Sequence, residues 1–138
     1  MKSVKVFLDA LNETKIRGSS YWYPLAHIKD GIPVAAYNLD MIYKCNEIDR
    51  LEKVLKEQNI SIVTMLQLNS AEISKEDIIS LLYEKDEDGY DFPWFVETYY
   101  YDDSKEWLLY VSHEGTITFV GKELVECATN TISTKHRI

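Results

Sequence analysis

Glycine is scarce in this chain. Five occur in 138 residues, Gly18, Gly31, Gly89, Gly115 and Gly121, and no two are neighbours. A phosphate cradle needs several glycines in one loop, so a nucleotide loop of that kind is excluded. Histidine is rarer still. His27, His113 and His136 are the three, and none stands in an HxxxH or HExxH spacing. The two cysteines, Cys45 and Cys127, form no CxxC pair. No metal-ligand motif is present, and the sequence leads us to expect neither a metal nor a cofactor. Both cysteines sit among apolar residues, which predicts free buried thiols and a reducing, cytoplasmic compartment.

Positive charge is also in deficit. Fifteen Lys and Arg stand against 23 Asp and Glu, for a formal net charge of −8. A phosphate backbone repels such a surface, so nucleic acid is not an expected partner. The local basic cluster Lys135, His136 and Arg137 reads as a frayed, solvated terminus. No run approaches about 18 apolar residues, so no membrane-spanning helix is expected. The first residues, MKSVKVFLDALNE, lack the long apolar core and cleavage site of a signal peptide.

What is present is enough apolar residue for a core: 46% of the chain. One domain covering 1–138 is the natural reading of that length. Val4, Phe7, Leu8 and Leu11 recur at helical spacing and predict a first helix. Tyr21-Trp22-Tyr23-Pro24 is extended, because a residue before proline avoids the helical region. A short strand is expected over 34–39. The clearest helix is predicted over 46–58, with Asn46 as its cap, a Glu52–Lys56 pair on its surface and Asn59 as its left-handed terminator.

Residues 61–68 read as a strand, apolar on both faces and so central in a sheet. Ser74-Lys75-Glu76-Asp77 has the form of a capping box, predicting a helix from Ser74 to about Glu84. Three strands follow, over 94–101, 107–112 and 116–120, the last two joined by a hairpin at Gly115. A final helix over 122–132 brings Leu124, Val125 and Ala128 to the core. The expected fold is α+β: a mixed sheet of about five strands with a C-terminal antiparallel meander and helices mainly on one face. The 34–39 and 61–68 strands, with a helix between them, allow one parallel pairing.

Catalytic signals are weak. Ser112, His113 and Glu114 are adjacent, and neighbours in a strand point to opposite faces, so they cannot converge as a triad. Asp86, Glu87, Asp88 and Asp91 match a calcium loop in composition but lack its alternating ligands and closing glutamate. They read as a solvated acidic run. The richer feature is Tyr99-Tyr100-Tyr101-Asp102-Asp103. One tyrosine of three should face away from the core unless a helix covers that side, and tyrosine is a frequent interface anchor. Asp102, Asp103 and Glu106 suit lysine or arginine partners.

The stretch WLLYVSHEGTITFVG, preceded by ETYYYDDSKE, resembles the C-terminal part of small bacterial immunity proteins from polymorphic toxin systems. The resemblance covers residues 97–121. It implies a non-enzymatic inhibitor that binds and neutralises a secreted toxin domain. The expected partner is therefore a basic protein, such as a toxin nuclease. The expected contact residues are Asp86, Glu87, Asp88, Asp91, Tyr100, Asp102, Asp103 and Glu106. The competing reading is a small-ligand or enzymatic cleft lined by Tyr21, Trp22, Tyr23, His27 and His113. Nothing in the residues sets the oligomeric state.

Overall fold

The computed structural model describes residues 33–67, 72–84, 98–104, 106–112 and 115–138. Six strands form one sheet: β1 (Val34–Asn38), β2 (Ile62–Gln67), β3 (Glu72–Asp77), β4 (Thr98–Tyr101), β5 (Leu108–Val111) and β6 (Thr116–Val120). Their order across the sheet is β1-β6-β5-β4-β2-β3. Four α-helices accompany them: α1 (Leu39–Lys44), α2 (Ile48–Glu57), α3 (Ile78–Leu81) and α4 (Lys122–Thr131). The class is α+β, as the element pattern predicts. The helix expected at the N-terminus lies outside the described residues.

Every strand pairing is antiparallel, so the mixed sheet of about five strands becomes an antiparallel sheet of six. The expected parallel pairing does not form. Two helices, α1 and α2, lie between β1 and β2. The chain re-enters the sheet four positions from β1, between β4 and β3. Asn46, expected as the cap of the 46–58 helix, caps no helix; its φ of +57° ends α1 instead. Its N–H donates to the Tyr43 carbonyl and that of Glu47 to the Ile42 carbonyl, a Schellman closure. Asn59 does the same for α2, also at φ +57°, as expected from its position. There the Ile60 N–H reaches the Leu55 carbonyl, and both side chains are buried.

The helix expected from Ser74 is the second correction. Residues 72–77 form β3, paired along its length with β2. Ser74 Oγ donates to Glu76 rather than capping a helix. The cap sits three residues later: Asp77 Oδ1 accepts the N–H groups of Ile79 and Ser80. Cross-strand pairing outweighs a local cap pattern worth about 1 kcal/mol.

Registers explain where the core lies. Ala35, Phe119, Leu109, Tyr100 and Met65 stand side by side across five strands. Side chains in one such row share a face. Against it pack Leu39 and Ile42 of α1, Leu51, Val54 and Leu55 of α2, Ile78 of α3, and Leu124, Val125 and Ala128 of α4. The described helices thus gather on one face. Tyr37 meets Phe119 edge-on within this layer, with centroids 5.7 Å apart.

The opposite row runs through Ala36, Thr118, Tyr110, Tyr99, Leu66 and Ile73. Its first four members are buried as well, whereas Ile73 is 67% exposed. Tyr99 and Tyr110 are cross-strand neighbours with ring centroids 5.0 Å apart. The sheet is therefore closed on both faces at β4 to β6 and opens toward β3. That also limits the expectation for β2. It is interior in the sheet, but Ile62 at its start is 62% exposed.

The basic tail is docked, not frayed. The Ile138 N–H donates to the Ala36 carbonyl, and Arg137 bridges to Tyr37 at the outer edge of β1. His136 is 3% exposed and lies 2.9 Å from a Glu47 oxygen through Nε2. Backbone pairing and this buried contact hold a segment that its composition alone marks as solvated.

The α2 surface carries the expected Glu52–Lys56 ion pair at 2.7 Å. Glu52 also accepts from the Tyr83 hydroxyl just beyond α3, and this raises the Tyr83 pKa to about 12, with burial adding to it. Folding therefore holds the Tyr83 proton more tightly. The contribution is complete below the ordinary tyrosine pKa of about 10 and is lost as pH rises toward the folded value. Alkaline absorbance titration should find an ionisation near 12 that belongs to Tyr83. It should vanish in Tyr83→Phe and move down toward the ordinary value in Glu52→Gln. A titration unchanged by Glu52→Gln contradicts the assignment.

Candidate functional site

The β4–β5 turn is built around one carboxylate. Asp102 Oδ1 accepts the Ser104 N–H at 2.9 Å and its hydroxyl, an Asx turn. Asp102 Oδ2 accepts the indole N–H of Trp107 at 2.9 Å. Trp107 is buried, so its donor needs a partner inside the fold. Ser104 Oγ in turn accepts the Glu106 N–H. Asp102 is thus committed to holding the turn, while Asp103 and Glu106 are exposed beside it.

Two measurements separate these roles. Asp102→Ala leaves a buried indole N–H unpaired and should cost about 2 kcal/mol in urea unfolding. Asp103→Ala should stay within about 0.5 kcal/mol of the parent. Equal effects would contradict the division.

Helix α4 begins against this turn. Its N-cap residue Gly121 has φ +113°, and a Cβ placed there would lie 2.5 Å from the Glu106 carbonyl oxygen and 3.2 Å from the Trp107 Cα. The missing side chain is what lets α4 approach so closely. Between them lies a groove of about 380 Å³, walled by Asp102, Glu106 and Trp107 from the turn, Gln58 after α2, and Lys122 and Glu123 of α4. A second depression of about 360 Å³ shares Gln58 and Glu123 with it and adds Glu57, Glu126, Cys127 and Asn130. The two are adjacent depressions along α2 and α4, here termed the channel.

Its chemistry is acidic. Glu57, Glu106, Glu123 and Glu126 are exposed, and Asp102 is half-buried with its charge already hydrogen-bonded. Lys122 is the one cation among the described lining residues. The Cys127 thiol donates to Glu57 Oε2 at 3.2 Å. Burial and the adjacent carboxylate raise its pKa, so it stays a protonated thiol. Among the described residues no nucleophile, base and orienting group converge in this channel.

The expected contact residues divide. Asp102 and Glu106 line the groove, and Asp103 is exposed in the same turn. Tyr100 is 2% exposed, inside the helix-covered layer, and offers no ring to a partner. Burial pushes its pKa well up, with Glu76 adding to the effect. Tyr101, half-buried, is the tyrosine of the run nearest the surface. Asp86, Glu87, Asp88 and Asp91 lie outside the described residues, as do Tyr21, Trp22, Tyr23, His27 and His113 of the competing cleft.

Glu57, Glu123 and Glu126 were not legible as site residues. They belong to helices far apart in the chain, and only the α2–α4 packing aligns them. Glu123 and Glu126 do stand three apart, a helix-face spacing. Cys45, Glu47 and His136 form another group that no sequence spacing announces. One ligand atom from each comes within 4.8 Å of the others. Both cysteines are free, but Cys45 is exposed and Cys127 half-buried, against the expectation of two buried thiols.

No helix among the described residues is long and apolar enough to cross a membrane. Comparison with protein-family models, with curated proteins and with solved structures finds no match.

Proposed function

We propose that this protein is an immunity-type inhibitor that binds a basic toxin domain through the acidic channel along α2, α4 and the β4–β5 turn. The observation that carries the reading is the gathering of Glu57, Glu106, Glu123 and Glu126 with Lys122 as the one cation among the described lining residues. Exposed carboxylates at this density attract lysine and arginine side chains and speed encounter with a cationic protein. A toxin that cleaves nucleic acid must carry such side chains to hold phosphate. Occupying them blocks substrate without any chemistry by the inhibitor. The net charge of −8 acts in the same direction over longer range.

Co-expression tests this. A toxin-bearing reading frame immediately upstream should arrest growth when expressed alone, and this chain should restore it. Restoration should fail when Glu106, Glu123 and Glu126 are replaced by lysine. A neighbouring frame without toxicity, or rescue indifferent to the charge reversal, contradicts the proposal.

A further inference from the structure

The geometry points to a divalent transition-metal site of the zinc class at Cys45, Glu47 and His136, joining the docked C-terminal tail to the α1–α2 turn. The three residues offer a thiolate, a carboxylate and an imidazole whose ligand atoms lie within 4.8 Å of one another. In a tetrahedral zinc site such atoms sit about 3.4–3.6 Å apart, so closure needs a shift of about 1 Å. The residues best able to move are at the surface. Cys45 is exposed at the C-cap of α1. His136, the anchor, is buried and already aimed at Glu47, 2.9 Å away through Nε2.

The backbone prepares the site. The left-handed Asn46 folds the chain back so that Cys45 and Glu47 flank one tight turn. Glu47 occupies the cap position of α2, yet its side chain caps nothing. Its carboxylate instead turns to the tail, meeting Lys135 and His136, with Arg50 at its other oxygen. Arg50, Lys135 and His136 already compensate this carboxylate, so a metal must displace one of them. A metal would displace the Lys135 ammonium, which is 61% exposed and free to swing into solvent. Thiolate and imidazole select zinc, or cobalt in its place, over magnesium and calcium. Three protein ligands leave a fourth position for water on the open Cys45 side. The role is a clasp: the metal fixes the tail that covers the outer edge of β1. This site is separate from the acidic channel.

The test uses the full chain, stripped with a chelator and titrated with zinc against a chromophoric competitor. We expect one zinc per chain, bound at least 10-fold more weakly by Cys45→Ser, and a rise of the thermal midpoint of at least about 5 °C that Cys45→Ser loses. Cys127→Ser should bind like the parent. Cobalt in place of zinc should give a thiolate charge-transfer band in the near ultraviolet, absent in Cys45→Ser. His136→Gln, buried in the parent and so checked for a parent-like fold by circular dichroism, should also bind zinc at least 10-fold more weakly, and a folded His136→Gln chain that binds zinc like the parent overturns the proposal. Failure to take up zinc stoichiometrically, or uptake undiminished in Cys45→Ser, overturns the proposal.

Discussion

Replacing Gly121 with alanine should cost about 3 kcal/mol of stability. Two effects combine. The backbone at φ +113° is a conformation that L side chains rarely adopt. The new Cβ also meets the Glu106 carbonyl oxygen at 2.5 Å, and that atom belongs to backbone, not to a flexible side chain. Either α4 retreats or the β4–β5 turn shifts. Gly121 also donates its N–H to the Pro33 carbonyl and accepts from the Val125 N–H, so its displacement loosens both β1 and the first turn of α4. The thermal midpoint should fall by roughly 10 °C. A loss under about 1 kcal/mol would show that the close approach of helix and turn is not maintained in solution. The groove depends on the same approach, so partner affinity should fall with stability.

The second large effect concerns binding alone. Replacing Glu106, Glu123 and Glu126 by lysine turns three carboxylates of the channel into three ammonium groups. All three are exposed, and their removal leaves the core untouched. Stability should change little. Affinity for a cationic partner should drop at least about 100-fold, equivalent to about 2.7 kcal/mol. Most of that loss should appear in the association rate, because rim charges steer encounter more than they hold the complex. Raising ionic strength should weaken the parent complex progressively, and the reversed variant much less. A drop of less than about threefold would place the interface elsewhere on the molecule.

Much of the fold is readable from local chemistry. Asn59 ends α2 because asparagine tolerates the left-handed region, and Gly115 turns the β5–β6 hairpin at φ +79°. Strands β5 and β6 announce themselves by β-branched and aromatic runs around that turn. The failures share one cause. Asn46 and Ser74 are good cap residues by type, and in each case a longer-range demand decided otherwise. Asn46 is more useful closing α1, and Ser74 belongs to a strand that completes the β2 edge. Local patterns cannot report such competition.

The site was half legible for the same reason. Asp102, Asp103 and Glu106 are contiguous, so their clustering is visible in one line of sequence. Glu57, Glu123 and Glu126 meet them only because α2 and α4 pack side by side and Gly121 lets α4 start against the turn. Tyr100 shows the converse. Aromatic clustering suggested a surface, but the register places its ring beside Leu109 and Met65 under the helices.

The central claim is that the acidic channel captures a cationic protein, and paired affinity capture tests it most directly. The parent chain and the Glu106, Glu123 and Glu126 to lysine variant are immobilised side by side and exposed to host extract at low and at physiological salt. The account predicts a basic protein, encoded next to this chain, retained by the parent and missing from the variant. Recovery of no cationic partner at either salt, or equal recovery on both surfaces, would contradict it.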